Sequence, residues 1–458
     1  MREPKAQAQP GATTALPGVE RMGRLAPYTR SAEETVVALD VGSARVACAL
    51  SEIQLGRPVV VAAETVPSYG IRGGEIVDLE RASESIRIAV EAVGGRAEAD
   101  VRSVVVGFSG DIRLQHSRGV LDLDREHRAV QAADVARLRR TLWPECGPGR
   151  KVVHRFDGPY AVGDLRGIER PVGLSGATLG MASSFLTAPV ERVENLLRAV
   201  RLAGVEVENL ALEPFASSLG VLTADERALG VAVLDFGAGG FRGALWEGGR
   251  LRQICALGQE HHTPPLGAIP ASGGMEGIVL SLARRFRIAP ATAGRLLQRP
   301  GQGASGNSPD AFLADLSQAA LEVDAVDGLE TSRIHPAEWA AALEALFCPV
   351  ARGLRDGLSF FSPGHAGGVV LVGNGAQLPG LAHLVSRHFG GAPTRAGTPH
   401  WEVVRDAELP AELEGPGGGA LCGLAVFGVE ARARLRERRA GTWWGRMRRG
   451  YQRVIAAL

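Results

Sequence analysis

Two stretches half a chain apart superimpose without a gap, ALDVGSARVACAL at residues 38–50 and VLDFGAGGFRGAL at residues 233–245. In each, an aspartate (Asp40 or Asp235) ends an apolar run, a glycine follows two positions later, and an Ala-Leu pair begins nine positions after the aspartate. Both read as strand, glycine turn and return strand. Two related hairpins in separate halves predict a duplicated α/β domain. The length agrees, because 458 residues at 45% hydrophobic content exceed what one ordinary core holds.

Tight turns of small residues let successive backbone N–H groups converge on an anion. Facing one another across a cleft, these two would grip the phosphates of one nucleotide, through Asp40, Gly42 and Ser43 on one side and Asp235, Gly237 and Gly239 on the other. Asp40 and Asp235 would hold Mg²⁺ through water, since hard carboxylates suit a small hydrated cation. Ordinary hairpin turns are the competing reading.

Other chemistry is absent. The chain has no G-x-x-x-x-G-K-[ST], H-E-x-x-H or G-x-S-x-G. The serines of GFSGD (107–111) and GLSGA (173–177) read as turn residues, and the His261-His262 pair as loop rather than metal site. With 51 Lys and Arg against 50 Asp and Glu, no whole-molecule field attracts nucleic acid, and none is expected as a partner. Five scattered cysteines read as structural thiols of a reducing compartment.

Residues 1–31 are rich in Ala, Pro and Gln and lack a signal-peptide apolar region, so a disordered arm is expected. No segment reaches the roughly 18 uninterrupted apolar residues of a spanning helix. After the first hairpin and the helical ERASESIRIAVEAV, the pieces VRSVVVGFSG and HSRGVLDLD suggest a small α+β insertion running to about residue 187. The run PVERVENLLRAVRLA predicts a helix with Pro189 in its first turn and a stop at Gly204.

The C-terminal TWWGRMRRGYQRVIAAL is amphipathic. At about 100° per residue, Trp444, Met447, Tyr451, Val454, Ile455 and Leu458 fall within about 120° of Trp443. Arg446, Arg448, Arg449 and Arg453 lie outside that arc with no acid among them. A helix lying on an anionic membrane surface is predicted, joined by the Arg-rich run 431–441 as a solvated linker.

The stretches DVGSARVACAL, GIRGGEIVDLE, PVGLSGATL, FASSLGVLTADERALGVAVLDFGAGG and VLVGNGAQLPGL occur here in an order and spacing that resembles the family of the bacterial cell-division protein FtsA, over about residues 33–430. The resemblance implies an actin-like, ribonuclease H-like fold of duplicated domains around a nucleotide cleft, with an inserted α+β subdomain 1C and a C-terminal amphipathic helix. On that frame residues 1–32 are the arm, 33–96 and 188–228 subdomain 1A, 97–187 subdomain 1C, 229–270 and 337–430 subdomain 2A, and 271–336 subdomain 2B. Residues 431–441 and 442–458 are then the linker and the membrane helix. ATP with Mg²⁺ is the implied cofactor, with Gly373, Asn374 and Gly375 beneath the adenosine. The implied partners are the C-terminal peptide of the tubulin-like FtsZ, other division proteins through subdomain 1C, further copies in a filament, and the cytoplasmic face of the cell membrane at the septum. Arg284 and Arg285, in the acid-free ARRFRIAPATAGRLLQR, fall where the acidic FtsZ peptide would dock.

The chain departs from the family in its second loop, usually D-x-G-G-G-T-x-D: Ala238 replaces a glycine, Gly240 the threonine and Arg242 the aspartate. Asn374 stands among glycines beneath the base. Weakened nucleotide binding and negligible turnover are therefore expected, in a membrane adaptor that tethers FtsZ. An active actin-like ATPase and a pilus-assembly homologue similar to PilM are the alternatives.

Overall fold

The first hairpin begins where TVVALDV leaves the chain no polar face. In the computed structural model this run, Thr35–Val41, is a strand buried on both sides, as central strands flanked by helices are. The structure describes residues 34–123, 128–257, 273–298, 321–324, 331–404 and 407–436. Strand Arg45–Gln54 returns antiparallel with Asp40 opposite Ala47, and Arg57–Pro67 extends the sheet antiparallel again. On the other side Ser103–Phe108 and then Glu206–Leu212 add in parallel.

The second half repeats this order. Val231–Phe236, Phe241–Glu247 and Arg250–Leu257 form an antiparallel meander, and Val369–Val372 and Thr394–Ala396 add in parallel beside the first of them. The strand period of two divides this sheet between two cores. Val231, Val233, Ala244, Trp246, Val370 and Val372 face the first half and share its core. Ala232, Leu234, Phe236, Phe241, Leu245, Val369 and Leu371 face a second core closed by helices Gly274–Phe286 and Pro336–Gly357.

Between Phe108 and Val190 lies a separate four-stranded sheet in the order Arg113–Asp122, Thr178–Pro189, Arg150–Val162, Leu165–Ile168. Helix Ala132–Thr141 covers one face over its own core of Leu123, Leu138, Leu142, Leu179 and Phe185. Pro189 caps helix Val190–Leu202 from outside instead of occupying its first turn.

Two boundaries read from sequence need correction. Ser103–Phe108 was placed with subdomain 1C, from residue 97, but it pairs in the first sheet between Thr35–Val41 and Glu206–Leu212, so the insertion starts after Phe108. Residues 402–430 were placed in subdomain 2A, yet Glu402 and Val403 pair with Val59 and Val60 of the first sheet. The helix at residues 419–436 likewise buries Leu421, Leu424, Phe427 and Val429 in the first core. It crosses helix Glu213–Val221 backbone to backbone, where a Cβ on Gly423 would meet the Ala216 carbonyl and, at 3.0 Å, the Gly220 nitrogen. Only glycine permits that approach. This helix runs on through 431–436, so the first part of the expected linker is helical, with Arg432 paired to Glu208 at 2.5 Å. The arm at 1–32, the His261-His262 pair and the tail from Trp443 to Leu458 lie outside the described residues.

Candidate functional site

The two glycine turns close in the same way. Gly42 N–H donates to the Arg45 carbonyl at 3.0 Å, and Gly237 N–H to the Gly240 carbonyl at 3.2 Å. Each turn follows a central strand, so both point out of the carboxyl ends of their sheets into the space between the halves, the usual ligand position in α/β folds. That space is a cavity of about 510 Å³. Asp40, Gly42, Ser43, Asp235, Gly237, Gly239, Gly373, Asn374 and Gly375 all line it, so the structure gathers every nucleotide-site residue expected from sequence around one cleft. Its size suits a small organic ligand.

The turns nearly touch. A Cβ on Gly239 would lie 2.9 Å from Gly73 Cα and 3.0 Å from Gly74 N, and Gly74 N–H donates to Ser43 Oγ at 3.0 Å. The short GG hairpin of GIRGGEIV is thus wedged against both loops. Two departures from the family pattern take these conformations. Ala238 is not among the residues with positive φ, so it carries no backbone strain. At the base end Gly373 takes the positive φ, 81°, and Asn374 opens a short 3-10 turn with its Oδ1 facing Arg45 Nη1 at 3.4 Å.

Three acids converge on the cleft floor. Asp40 (9% exposed) is hydrogen-bonded to Glu213 (8% exposed), which opens helix Glu213–Val221. Burial first and the Asp40 charge second hold the Glu213 carboxyl well above the usual range. Burial also raises Asp40, against the opposing charges of Arg45 and Arg242. Asp235 is pushed up to about 6 by burial, a rise that the neighbouring Arg242 guanidinium opposes.

Arg242 turns inward. It sits opposite Asp235 in the hairpin register, is 6% exposed, and pairs Nη1 to Asp235 Oδ2 at 3.6 Å. A Cβ built on Gly240 would meet that guanidinium first, at 3.4 and 3.5 Å. The arginine therefore fills the space that a threonine side chain at 240 would take. This bears on the expected Mg²⁺ site at Asp40 and Asp235. One carboxylate is already hydrogen-bonded to Glu213, the other faces a fixed cation, and among the described residues no group of three His, Cys, Asp or Glu side chains is placed to hold a metal. The donor set does not fit a divalent ion.

Glu213, Arg242, Arg45, Ser109 and Met275 were not assigned to the site from sequence, yet all line it. Ser109 belongs to GFSGD, read as a mere turn. Glu213 did carry a signal, because LALE at 210–213 ends its strand as VALD (37–40) and AVLD (232–235) end theirs.

The Glu213 proton has a measurable consequence. A carboxyl whose folded pKa is raised binds a proton that the unfolded chain releases above about pH 4.3, so its contribution to stability is full below that pH and declines as pH rises. Against Glu213→Gln, the wild type is expected to lose up to about 1.4 kcal/mol per pH unit as pH rises from about 5 toward the raised folded pKa of Glu213. His154, pushed down to about 4 chiefly by burial, acts oppositely but equally in both proteins. Denaturant melts across that range test this, and parallel stability curves would show that Glu213 ionises normally.

A family model described as the SHS2 domain inserted in FTSA matches residues 109–187, the inserted four-stranded unit. The chain is 31% identical over 226 residues to the cell division protein FtsA of Pseudomonas aeruginosa, covering 48% of this chain and 54% of that one. It is 28% identical over 366 residues to FtsA of Escherichia coli K12, covering 77% and 82%. Among solved structures it resembles the PilM-PilN type IV pilus biogenesis complex, with TM-score 0.54, 18% identity and coverage of 86% and 98%. MreB5 of Spiroplasma citri bound to ADP follows with TM-score 0.51, 12% identity and coverage of 88% and 98%. At such identities the structural matches show the fold, an actin-like one.

Proposed function

We propose, from a chain that belongs to the FtsA family of bacterial cell-division proteins, that it is a membrane adaptor which tethers FtsZ filaments to the cytoplasmic membrane, with a cleft that holds nucleotide weakly and turns it over negligibly. The observation that carries this reading is the inserted unit at 109–187 set into a duplicated actin-like fold. The cleft itself supports a nucleotide, as two phosphate-type turns face each other over a cavity of suitable volume. That the MreB5 structure is of an ADP-bound protein agrees. Other division proteins would meet the inserted unit, whose exposed Val120, Trp143, Leu165 and Val172 offer apolar contact surface. Attachment would be to anionic lipid at the septum through residues 442–458, and self-association into filaments would multiply weak tail contacts by avidity.

FtsZ capture is assigned to the far end of helix Gly274–Phe286. The first turn of this helix is bonded to the second loop, with Met275 N–H to Gly237 O at 3.0 Å and Glu276 N–H to Ala238 O at 3.1 Å. Its last turn carries Arg284 and Arg285, both exposed. A single rigid helix thus joins the nucleotide loop to the basic surface. Arg284→Glu with Arg285→Glu is expected to weaken binding of the acidic FtsZ C-terminal peptide by about tenfold or more, and wild-type affinity to fall with added salt. Unchanged titration at low salt would remove these arginines from the interface.

A further inference from the structure

We propose that Arg242 is the phosphate-binding cation of this cleft, so that a nucleoside di- or triphosphate binds against its guanidinium without a divalent metal. The inference rests on the nucleotide reading above and deepens it. A guanidinium that only neutralised Asp235 would form a close, forked pair. Here the nearest approach of the two groups is 3.6 Å, and Nε is buried with no hydrogen-bond partner. Donors therefore remain unspent inside a cleft lined by both phosphate-type turns. The slot that holds the group is walled by glycine, since a Cβ on Gly74 would approach Nη2 to 3.3 Å and one on Gly240 to 3.4 Å. A side chain larger than alanine at 240 would compete with it for that space.

Placement favours phosphate over other anions. The guanidinium lies beside the second turn and the GG hairpin that touches the first, which is where phosphates gripped from both halves would sit. A planar fork matches phosphate oxygens in two parallel bonds, which a compact ammonium does not. A hydrated Mg²⁺ brought to Asp235 would meet a fixed positive charge beside it, where little water screens the repulsion. The metal that the fold family implies is replaced by a residue of the chain.

Calorimetric titration of the full-length protein with ADP and with a non-hydrolysable ATP analogue, in magnesium and again in excess EDTA, tests this. Wild-type affinity is expected to agree within a factor of about three between the two conditions. Arg242→Ala should lose at least about tenfold, and Arg242→Lys, which keeps the charge without the fork, should recover part of it. Binding that requires magnesium would overturn the inference and leave the nucleotide reading intact. Binding in neither condition would remove both. If Arg242→Ala does not fold, the EDTA comparison on the wild type decides alone.

Discussion

Cutting the chain after Gly441 is expected to abolish its sedimentation with anionic vesicles and leave the melting of the body unchanged. Four arginines near an anionic leaflet contribute about 1 kcal/mol each. Partial burial of seven apolar side chains adds roughly 5 kcal/mol after helix ordering. Together these approach a micromolar affinity, so removal of the tail lowers partitioning by more than about a thousandfold. The structure explains why the body survives. The helix at residues 419–436, the last one among the described residues, is fixed to the first half by Leu421, Leu424 and Phe427 and by the pair of Arg432 with Glu208, all upstream of the cut. Zwitterionic vesicles should bind even the full chain more weakly, because the arginine contribution is lost. Retained sedimentation of the truncated protein would assign membrane contact to another surface.

The hairpins were legible in the sequence because everything that makes them is local: apolar strands of period two, a glycine turn and an aspartate at the strand end. From their duplication the cleft followed, and with it Asp40, Asp235 and their glycines. What could not be read was set by partners distant in sequence. VRSVVVGFSG looks the same whether its strand joins the insertion or the first sheet, and only the parallel neighbours Thr35–Val41 and Glu206–Leu212 decide. The chain after residue 400 returns to the first half through two-residue pairing with Val59 and Val60 and a glycine crossing, neither of which has a periodic signature. Strand alternation puts Arg242 and Gly240 on one face. It could not say that the face was the cleft, because that depends on which side of the sheet the second core occupies.

Phosphate release from ATP by the wild-type protein is expected to be indistinguishable from the uncatalysed rate. Phosphoryl transfer is catalysed almost entirely by positioning and charge stabilisation, with metal bridging the phosphates and a group orienting water. Here the second loop offers neither: Ala238 and Gly240 lack a hydroxyl, and Arg242 stands where the family has a carboxylate. Misplacement of the attacking water by about 1 Å alone can cost on the order of a hundredfold. The replacements are interlocked, because the guanidinium fills the room above Gly240. Gly240→Thr alone would crowd Arg242, and Arg242→Asp alone would leave the Asp40, Glu213 and Asp235 cluster with Arg45 but without the guanidinium that faces Asp235. Made together with Ala238→Gly, the two changes free the space for the threonine and supply a carboxylate in place of the cation. The triple variant should then bind ATP more tightly in magnesium than in EDTA, the reverse of the metal-indifferent wild type, by about tenfold or more. Steady turnover by the wild type that Asp235→Ala abolishes would make the protein an active ATPase and overturn the account of its second loop.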